Sequence, residues 1–422
     1  MSNVVKKELP ENWAWTTMDN ISDVVGGGTP ISKEKRFYQN GSIPWLTPAD
    51  LSGYKEKYVS NGARFITEDG LNSSSAKIMP AGTVLFTSRA PIGYVVIAKN
   101  EICTNQGFKS FVIKSDKILP DYVYWWLKGS KQLAESFASG TTFLELSGSK
   151  AKQLPIPIAP LEQQKRIVAK IEELFSHIDA GIEALNKAKQ LLKQYRQSVL
   201  KAAVTGELLG YKFSEEMFKP IDFGLETLGQ GWSPRCEKEP SPSEDTWGVI
   251  KTTAVQSLEY RQEENKRLPD SLEPRPKHEI LVGDLLVTRA GPRVRVGICC
   301  LVKETRKKLM ICDKVYRLRV KKGVILPEYL AIILNAPNVL IEVEKLKSGI
   351  NDSGVNLTQN KFIQLQIPYP LIEDQKSLTQ IVTDKVDSIS RLDEDIEKQM
   401  LKAEKNKQSI LASAFSGELG SA

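Results

Sequence analysis

Twenty side chains in this sequence have the chemistry to hold a polyanion and to read the edges of bases. Lys33, Lys35, Arg36, Thr47, Arg64, Ser88, Arg89, Asn105, Gln106 and Lys109 fall in polar, turn-rich stretches of the first part of the chain. Lys251, Thr252, Thr253, Arg261, Lys266, Arg267, Arg289, Arg293, Arg295 and Lys314 do so in the later part. Arg and Lys pair with guanine O6 and N7, Asn and Gln with adenine N6 and N7, and Lys, Thr and Ser with phosphate oxygens. The run RAGPRVR at 289–295 is the densest. Arg89 and Arg289 each follow a similar strand-like run, so they are expected at the same place in two related units. For any single lysine here, a solvated surface charge is the competing reading.

Bond-making chemistry is harder to find. The sequence has no Gly-x4-Gly-Lys-Ser/Thr phosphate loop and no strand–GxGxxG–helix unit. Gly26-Gly27-Gly28 reads as a turn or a loop that lets another backbone approach. No Asn-Pro-Pro-aromatic tetrapeptide occurs, and Pro269-Asp270 is followed by Glu273 without a lysine two residues on. His177 and His278 are the only histidines, which leaves little material for a Ser–His–Asp triad. Cys103, Cys236, Cys299, Cys300 and Cys312 show no paired spacing and lie far from both histidines. No metal and no cofactor is expected in this chain, and the odd cysteine count fits a reducing cytoplasm. The stretch MSNVVKKELPENW has no signal-like apolar core, and no apolar run approaches a membrane span. The aromatic cluster Tyr122, Tyr124, Trp125 and Trp126 could stack on bases, but its helical spacing predicts core. His177 reads as a helix flank.

The elements that must position these side chains come in two copies. QLPIP at 153–157 returns as QLQIP at 364–368, and QSVLKAAVTGEL at 197–208 returns as QSILASAFSGEL at 408–419. Both ends carry an offset of 211, half of the 422 residues, so the repeat holds its length. Between them Ile167, Ile171, Leu174, Ile178, Ile182, Leu185, Ala188, Leu192, Tyr195 and Val199 recur at three- and four-residue steps, which predicts one helix over 161–205. Pro155, Pro157 and Pro160 precede it and Gly206 follows it. Leu378, Val382, Val386, Ile389, Leu392, Ile396 and Met400 give the second copy, which ends at Gly417. Each helix of about 45 residues would span roughly 65–70 Å. A single stripe that long needs a partner helix, and the near-3.5 spacing predicts a coiled-coil pair.

The net charge is +7. Residues 1–152 and 212–363 each carry +4, while 153–211 carries +2 and 364–422 carries −3, so the positive excess sits outside the helices. Runs at 83–87, 94–98 and 111–113 predict strands, and 119–127 opens a helix. The later block echoes the first: LPENW (9–13) with LGQGW (228–232), GTVLFTSRA (82–90) with GDLLVTRA (283–290), LPDY (119–122) with LPEY (326–329), and Ser139-Gly140 with Ser348-Gly349. The predicted fold class is α+β. Two β-rich globular domains, 1–152 and 212–363, are joined by two long antiparallel helical regions, 153–211 and 364–422, in a pseudo-two-fold repeat.

These motifs in this order resemble the specificity subunit of type I restriction–modification systems. The resemblance is carried by LPENWAW (9–15), GGGTP (26–30), IPWLTPADLS (43–52), SRAPIGYVVIA (88–98), TNQGFKSFVI (104–113), SGTTFLELS (139–147) and QLPIPIAPLEQQKRIV (153–168). LGQGWSPRCE (228–237), WGVIKTTAV (247–255), DLLVTRAGPRVRVG (284–297) and QLQIPYP (364–370) are their counterparts. The resemblance implies that each block reads one half of a bipartite double-stranded DNA site. It implies that the paired helices fix the spacing and dock two modification subunits, with restriction subunits joining the complex. S-adenosylmethionine, ATP and Mg would then belong to those partners, and this chain would be a non-catalytic cytoplasmic component. The alternatives are a standalone DNA methyltransferase or nuclease with degenerate motifs, and a coiled-coil scaffold that binds no DNA.

Overall fold

Two helices, Leu161–Thr205 and Ile372–Ala414, dominate the computed structural model, which describes residues 8–89, 91–140 and 144–420. They span 45 and 43 residues, as their apolar periodicity predicts. Gly206 and Gly417 stop them with φ of 81° and 88°, a left-handed turn that costs glycine little. The chain divides into two compact units, Met1–Leu185 with Lys398–Ala422, and Asn186–Glu397. Each long helix contributes a segment to both.

Within the first unit, Lys407 donates to Asp179 at 2.6 Å and packs over the Phe175 ring, while Tyr122 and Trp126 close on Phe415. Within the second, Lys189 pairs with Glu397, and Lys385 reaches the Tyr195 hydroxyl at 3.3 Å. Partner numbers fall on one helix as they rise on the other, so the helices run antiparallel. The apolar stripe is not uniformly buried. Ile167, Ile171, Val199, Leu200, Ala203 and Val204 are sealed, because there a globular domain covers the helix. Tyr195 and Leu392 remain 47% and 53% exposed, because there each helix meets only one other.

The first unit's domain holds a sheet of five strands in the order Ser22–Gly26, Phe108–Ile113, Val84–Ser88, Ile92–Ala98, Tyr58–Val59. Beside it lies a smaller sheet, Arg64–Ile66, Ile43–Leu46, Cys103–Thr104. In the second unit the order is Leu225–Gln230, Val315–Val320, Leu285–Thr288, Cys299–Leu301, with the smaller sheet Asn265–Arg267, Gly248–Ile250, Leu309–Met310. The order matches strand for strand over the shared positions. Pairing is mostly antiparallel, but Trp45 with Cys103, Tyr58 with Ile97 and Gly248 with Leu309 pair parallel. Pro120–Gly129 and Pro327–Leu334 are the matched helices, each with proline in its first turn. Tyr122, Tyr124 and Trp125 are buried in the first core, which assigns the aromatic cluster to packing. His177 is exposed.

A buried glutamine ties each domain to the start of its long helix. Gln164 accepts from the Leu119 amide at 3.0 Å and donates to the Lys117 and Ala159 carbonyls. Gln375, 211 residues on, accepts from Leu326 at 2.8 Å and donates to Val324 and Pro370. Both are fully buried. Tyr122 and Tyr329 repeat the theme, donating to the Pro157 and Pro368 carbonyls at 2.8 and 3.2 Å. Replacing either glutamine by leucine orphans three backbone groups, and each orphan costs about 1–3 kcal/mol. Gln164→Leu and Gln375→Leu are each expected to lower the urea midpoint at unchanged m-value; a midpoint equal to wild type would contradict the clamp.

Two sequence correspondences need correction. LPENW and LGQGW are not equivalent: Leu225–Gln230 matches Ser22–Gly26 in its sheet, whereas Ala14–Thr17 pairs with Pro155–Ile158 as Phe218–Pro220 pairs with Gln366–Pro368. Leu9–Trp13 therefore corresponds to the chain just before Phe218, and the shared Leu and Trp are coincidental. The second correction concerns Arg89 and Arg289. Val84 sits opposite Phe111 and Ile97, and Leu285 opposite Leu318 and Leu301, so Thr87 matches Thr288 and Ser88 matches Arg289. The Ser88 carbonyl accepts from Leu146 at 2.9 Å and the Arg289 carbonyl from Leu357 at 2.7 Å, 211 residues apart. Arg89 bridges Glu145 as Ala290 pairs with Asn356. The first strand has one more residue before its arginine, and a one-residue slip sends the side chain to the other face.

Candidate nucleic-acid interface

In the first unit most of the expected residues gather around the loop at 26–30. Its second glycine is required, because a Cβ on Gly27 would collide with the Asn105 carbonyl oxygen. The Gly28 amide donates to the Thr104 carbonyl at 2.9 Å, and Trp45 Nε1 donates to the Gly28 carbonyl at 2.9 Å. Thr29 donates to Gln106, and Asn105 Oδ1 accepts from the Gly107 amide at 2.9 Å. Ser88 is buried and donates to the Gly107 carbonyl at 3.1 Å, so it braces this turn from behind. Arg89 lies 3.8 Å from Glu145. Lys109 lies close by; burial pulls its amine below the ordinary lysine range and Arg89 adds to this, with Glu145 opposing. An approaching phosphate would act in the opposite direction and favour the protonated amine.

Arg64 is positioned by its neighbours. Its guanidinium lies 4.8 Å from the Trp45 ring centre and 5.6 Å from that of Tyr38. Asp50 accepts from the Thr47 amide and hydroxyl, both at 2.7 Å, and from the Ala63 amide at 2.9 Å, which knits Thr47 to the turn before Arg64. Burial pushes the Asp50 carboxyl upward, but these three donors and Arg64 together hold it below its ordinary value. Lys33, Lys35 and Arg36 follow on the exposed stretch to Tyr38, whose hydroxyl donates to the Pro30 carbonyl at 2.7 Å. Arg36 lies 3.7 Å from Glu34, and neither Lys33 nor Lys35 has an ion-pair partner among the described residues. Ala90 and 141–143, inside two of the quoted motifs, lie outside the described residues.

The second unit is built differently. Many of its expected residues are held by the protein itself. Arg295 donates to the Thr252 and Val255 carbonyls at 2.9 and 3.0 Å, and Arg289 donates to the Asp313 carbonyl at 2.9 Å while facing the Tyr316 ring. Arg293 pairs with Glu344 at 2.6 Å and Asp352 at 2.8 Å. Arg261 pairs with Glu259, Arg267 with Asp270 and Glu237, and Lys251 with Glu264, which also accepts from Thr253 at 2.6 Å. Lys266 and Lys314 have no ion-pair partner among the described residues. Lys251, Thr252, Thr253, Arg261 and Glu264 lie together with Arg295, and Arg289 and Lys314 meet through the Arg289 amide. Gly231 plays the part of Gly27, since a Cβ there would collide with the Ile311 carbonyl oxygen.

Comparison with known proteins meets this geometry. Residues 10–191 match the family described as "Type I restriction modification DNA specificity domain". Over that stretch, a little under half of its length, the chain is similar to the specificity subunits of type I restriction–modification systems. Over 197 residues it is 43% identical to the EcoEI type I restriction enzyme specificity subunit of Escherichia coli, covering 43% of this chain and 33% of that one. It is 40% identical over 197 residues to the MjaIX specificity subunit of Methanocaldococcus jannaschii, covering 46% and 44%. The chain thus spans less than half the length of these two relatives in each match. A chain solved in work on complex assembly and conformational transition of the type I R-M system superposes with a TM-score of 0.74, 16% identity and coverage of 97% and 99%, a likeness of fold along the full length.

Some well-placed residues escaped sequence reasoning. Trp45 and Tyr38, which carry Arg64, were signalled only by position after the fold was known. Arg275 lies 4.1 Å from the Trp232 ring, another cation on an aromatic face. Gln164 and Gln375 were findable, since the motifs EQQK and EDQK align at the repeat offset. Among the described residues no cluster of His, Cys, Asp and Glu could hold a metal ion, and no helix is long and apolar enough to cross a membrane.

Proposed function

We propose that this chain supplies sequence specificity to a type I restriction–modification complex and makes no bonds of its own. Each β-rich domain reads one half of a bipartite double-stranded DNA site. The observation that carries this reading is the duplication: two domains with one strand order, each fixed to a long helix by the same buried glutamine and each presenting a cation-rich loop edge. In the first, Arg64 on Trp45, with Asn105, Gln106 and Lys109 nearby, forms a polar edge suited to bases and phosphates. The functional division is 1–152 and 212–363 for the readers and 153–211 and 364–422 for the helical regions. The paired helices set the number of unread base pairs and dock two modification subunits, and restriction subunits complete the assembly. S-adenosylmethionine, ATP and Mg belong to those partners, and the working compartment is the cytoplasm.

Selecting duplexes from a random library with the complex of this chain and its modification subunits tests the proposal. Enrichment of one sequence made of two fixed halves and an unread gap is expected. Enrichment of a single continuous site, or none, contradicts it.

A further inference from the structure

Two aliphatic side chains in the second unit stand almost wholly in solvent. Ile350 is 99% exposed and Val294 is 85% exposed. Neither lies on a loose segment. Arg293, next to Val294, locks its loop to the one that carries Ile350. Its amide donates to the Asp352 carbonyl at 2.8 Å, Nε to Asp352 Oδ1 at 2.8 Å, and its two terminal nitrogens to Glu344 at 2.6 Å and the Gly349 carbonyl at 3.1 Å. Lys347 returns a bond to the Arg293 carbonyl at 2.8 Å. Ala290 and Gly291 pair with Asn356 and Val355 at the base of both loops. The densest arginine run thus spends Arg293 and Arg295 on holding backbone, and what it presents outward is apolar.

The surroundings select the partner. Residues 289–295 and 344–352 carry five Arg and Lys against two Asp and Glu. An apolar tip in a net positive collar suits a surface that is anionic and offers isolated methyl groups. Duplex DNA has that character in the major groove, where the thymine 5-methyl is the one apolar group on the base edges. We infer that Val294 and Ile350 are specificity residues of the second half-site and that they contact thymine methyl groups there. This inference rests on the reading that the second unit binds DNA.

The test uses the complex of this chain with its modification subunits and a duplex carrying the methylation site mapped in cells. Each thymine of the second half-site is replaced in turn by deoxyuridine, which removes only the methyl. Affinity is expected to fall about three- to fivefold at one or two positions, the loss of one buried methyl each. With Val294→Ala or Ile350→Ala the complex should still prefer the mapped site, but deoxyuridine and thymine should bind alike at the matching position. Ile341→Ala, an exposed isoleucine on Pro337–Leu346, should leave the discrimination intact. A second half-site without thymine, deoxyuridine tolerated throughout by the wild type, or discrimination surviving in both alanine variants would overturn the inference while leaving DNA reading in place. Variants that impair subunit assembly and leave the deoxyuridine effect unchanged would also overturn it, in favour of a protein contact. Failure of the wild type to prefer its mapped site over a scrambled duplex would instead remove the underlying reading.

Discussion

Raising the salt from about 50 to about 200 mM is expected to weaken binding of the assembled complex to its DNA by about 10³–10⁵-fold, if this chain and its partners hold 6–10 phosphates. The charge distribution is the reason. Each β-rich block carries +4, while the helical regions nearly cancel. Side chains already neutralised within the protein have little to add. Arg293, Arg261 and Arg267 each face one or two carboxylates. Lys33, Lys35, Lys266 and Lys314 face none among the described residues, so each can neutralise a phosphate and release the cation condensed on it. Replacing one of these four by alanine should therefore reduce the slope of log K against log salt by about 0.9 when it contacts a phosphate. Arg261→Ala should leave the slope near its wild-type value. Titrations by fluorescence anisotropy at five or six salt concentrations measure this directly. A flat wild-type line would argue against phosphate contact altogether.

Gly231→Ala is expected to cost about 3 kcal/mol or more, the second large effect. A methyl at this position meets the backbone carbonyl of Ile311, and the Trp232 amide bonds the same carbonyl at 3.1 Å, so the two strands cannot part without losing that bond. Gly27→Ala does the same to the first domain through the Asn105 carbonyl. For domains of this size the melting temperature should drop by about 6–12 °C. Gly229 is the control, since a Cβ there has nothing within 4 Å. Gly229→Ala should melt within about 2 °C of wild type by calorimetry, and equal melting of all three variants would contradict the close approach.

Much of the fold was legible because the long helices are local objects. An apolar stripe, flanking prolines and terminal glycines predict both ends of Leu161–Thr205, and the constant offset of 211 points to its partner. The matched prolines at 120 and 327 gave the paired short helices for the same reason. Strand register was less legible. One additional residue in GTVLFTSRA placed Arg89 one step beyond the position that Arg289 holds, and only the opposing strands reveal it. The candidate interface was legible as composition but not as geometry. Arg293 finds its carboxylates 51 and 59 residues away, and nothing near RAGPRVR announces them. Arg64 is held by the Trp45 ring beneath it, which a strand pairing brings there.

The division of labour between the two domains can be measured in one step. Residues 212–363 are exchanged for the corresponding block of another specificity subunit with a known site, and methyladenine is mapped across the genome of cells expressing the hybrid with its modification subunits. The account expects methylated sites that keep one original half, keep the gap, and acquire the donor's other half. Sites in which both halves change, or neither does, would contradict it.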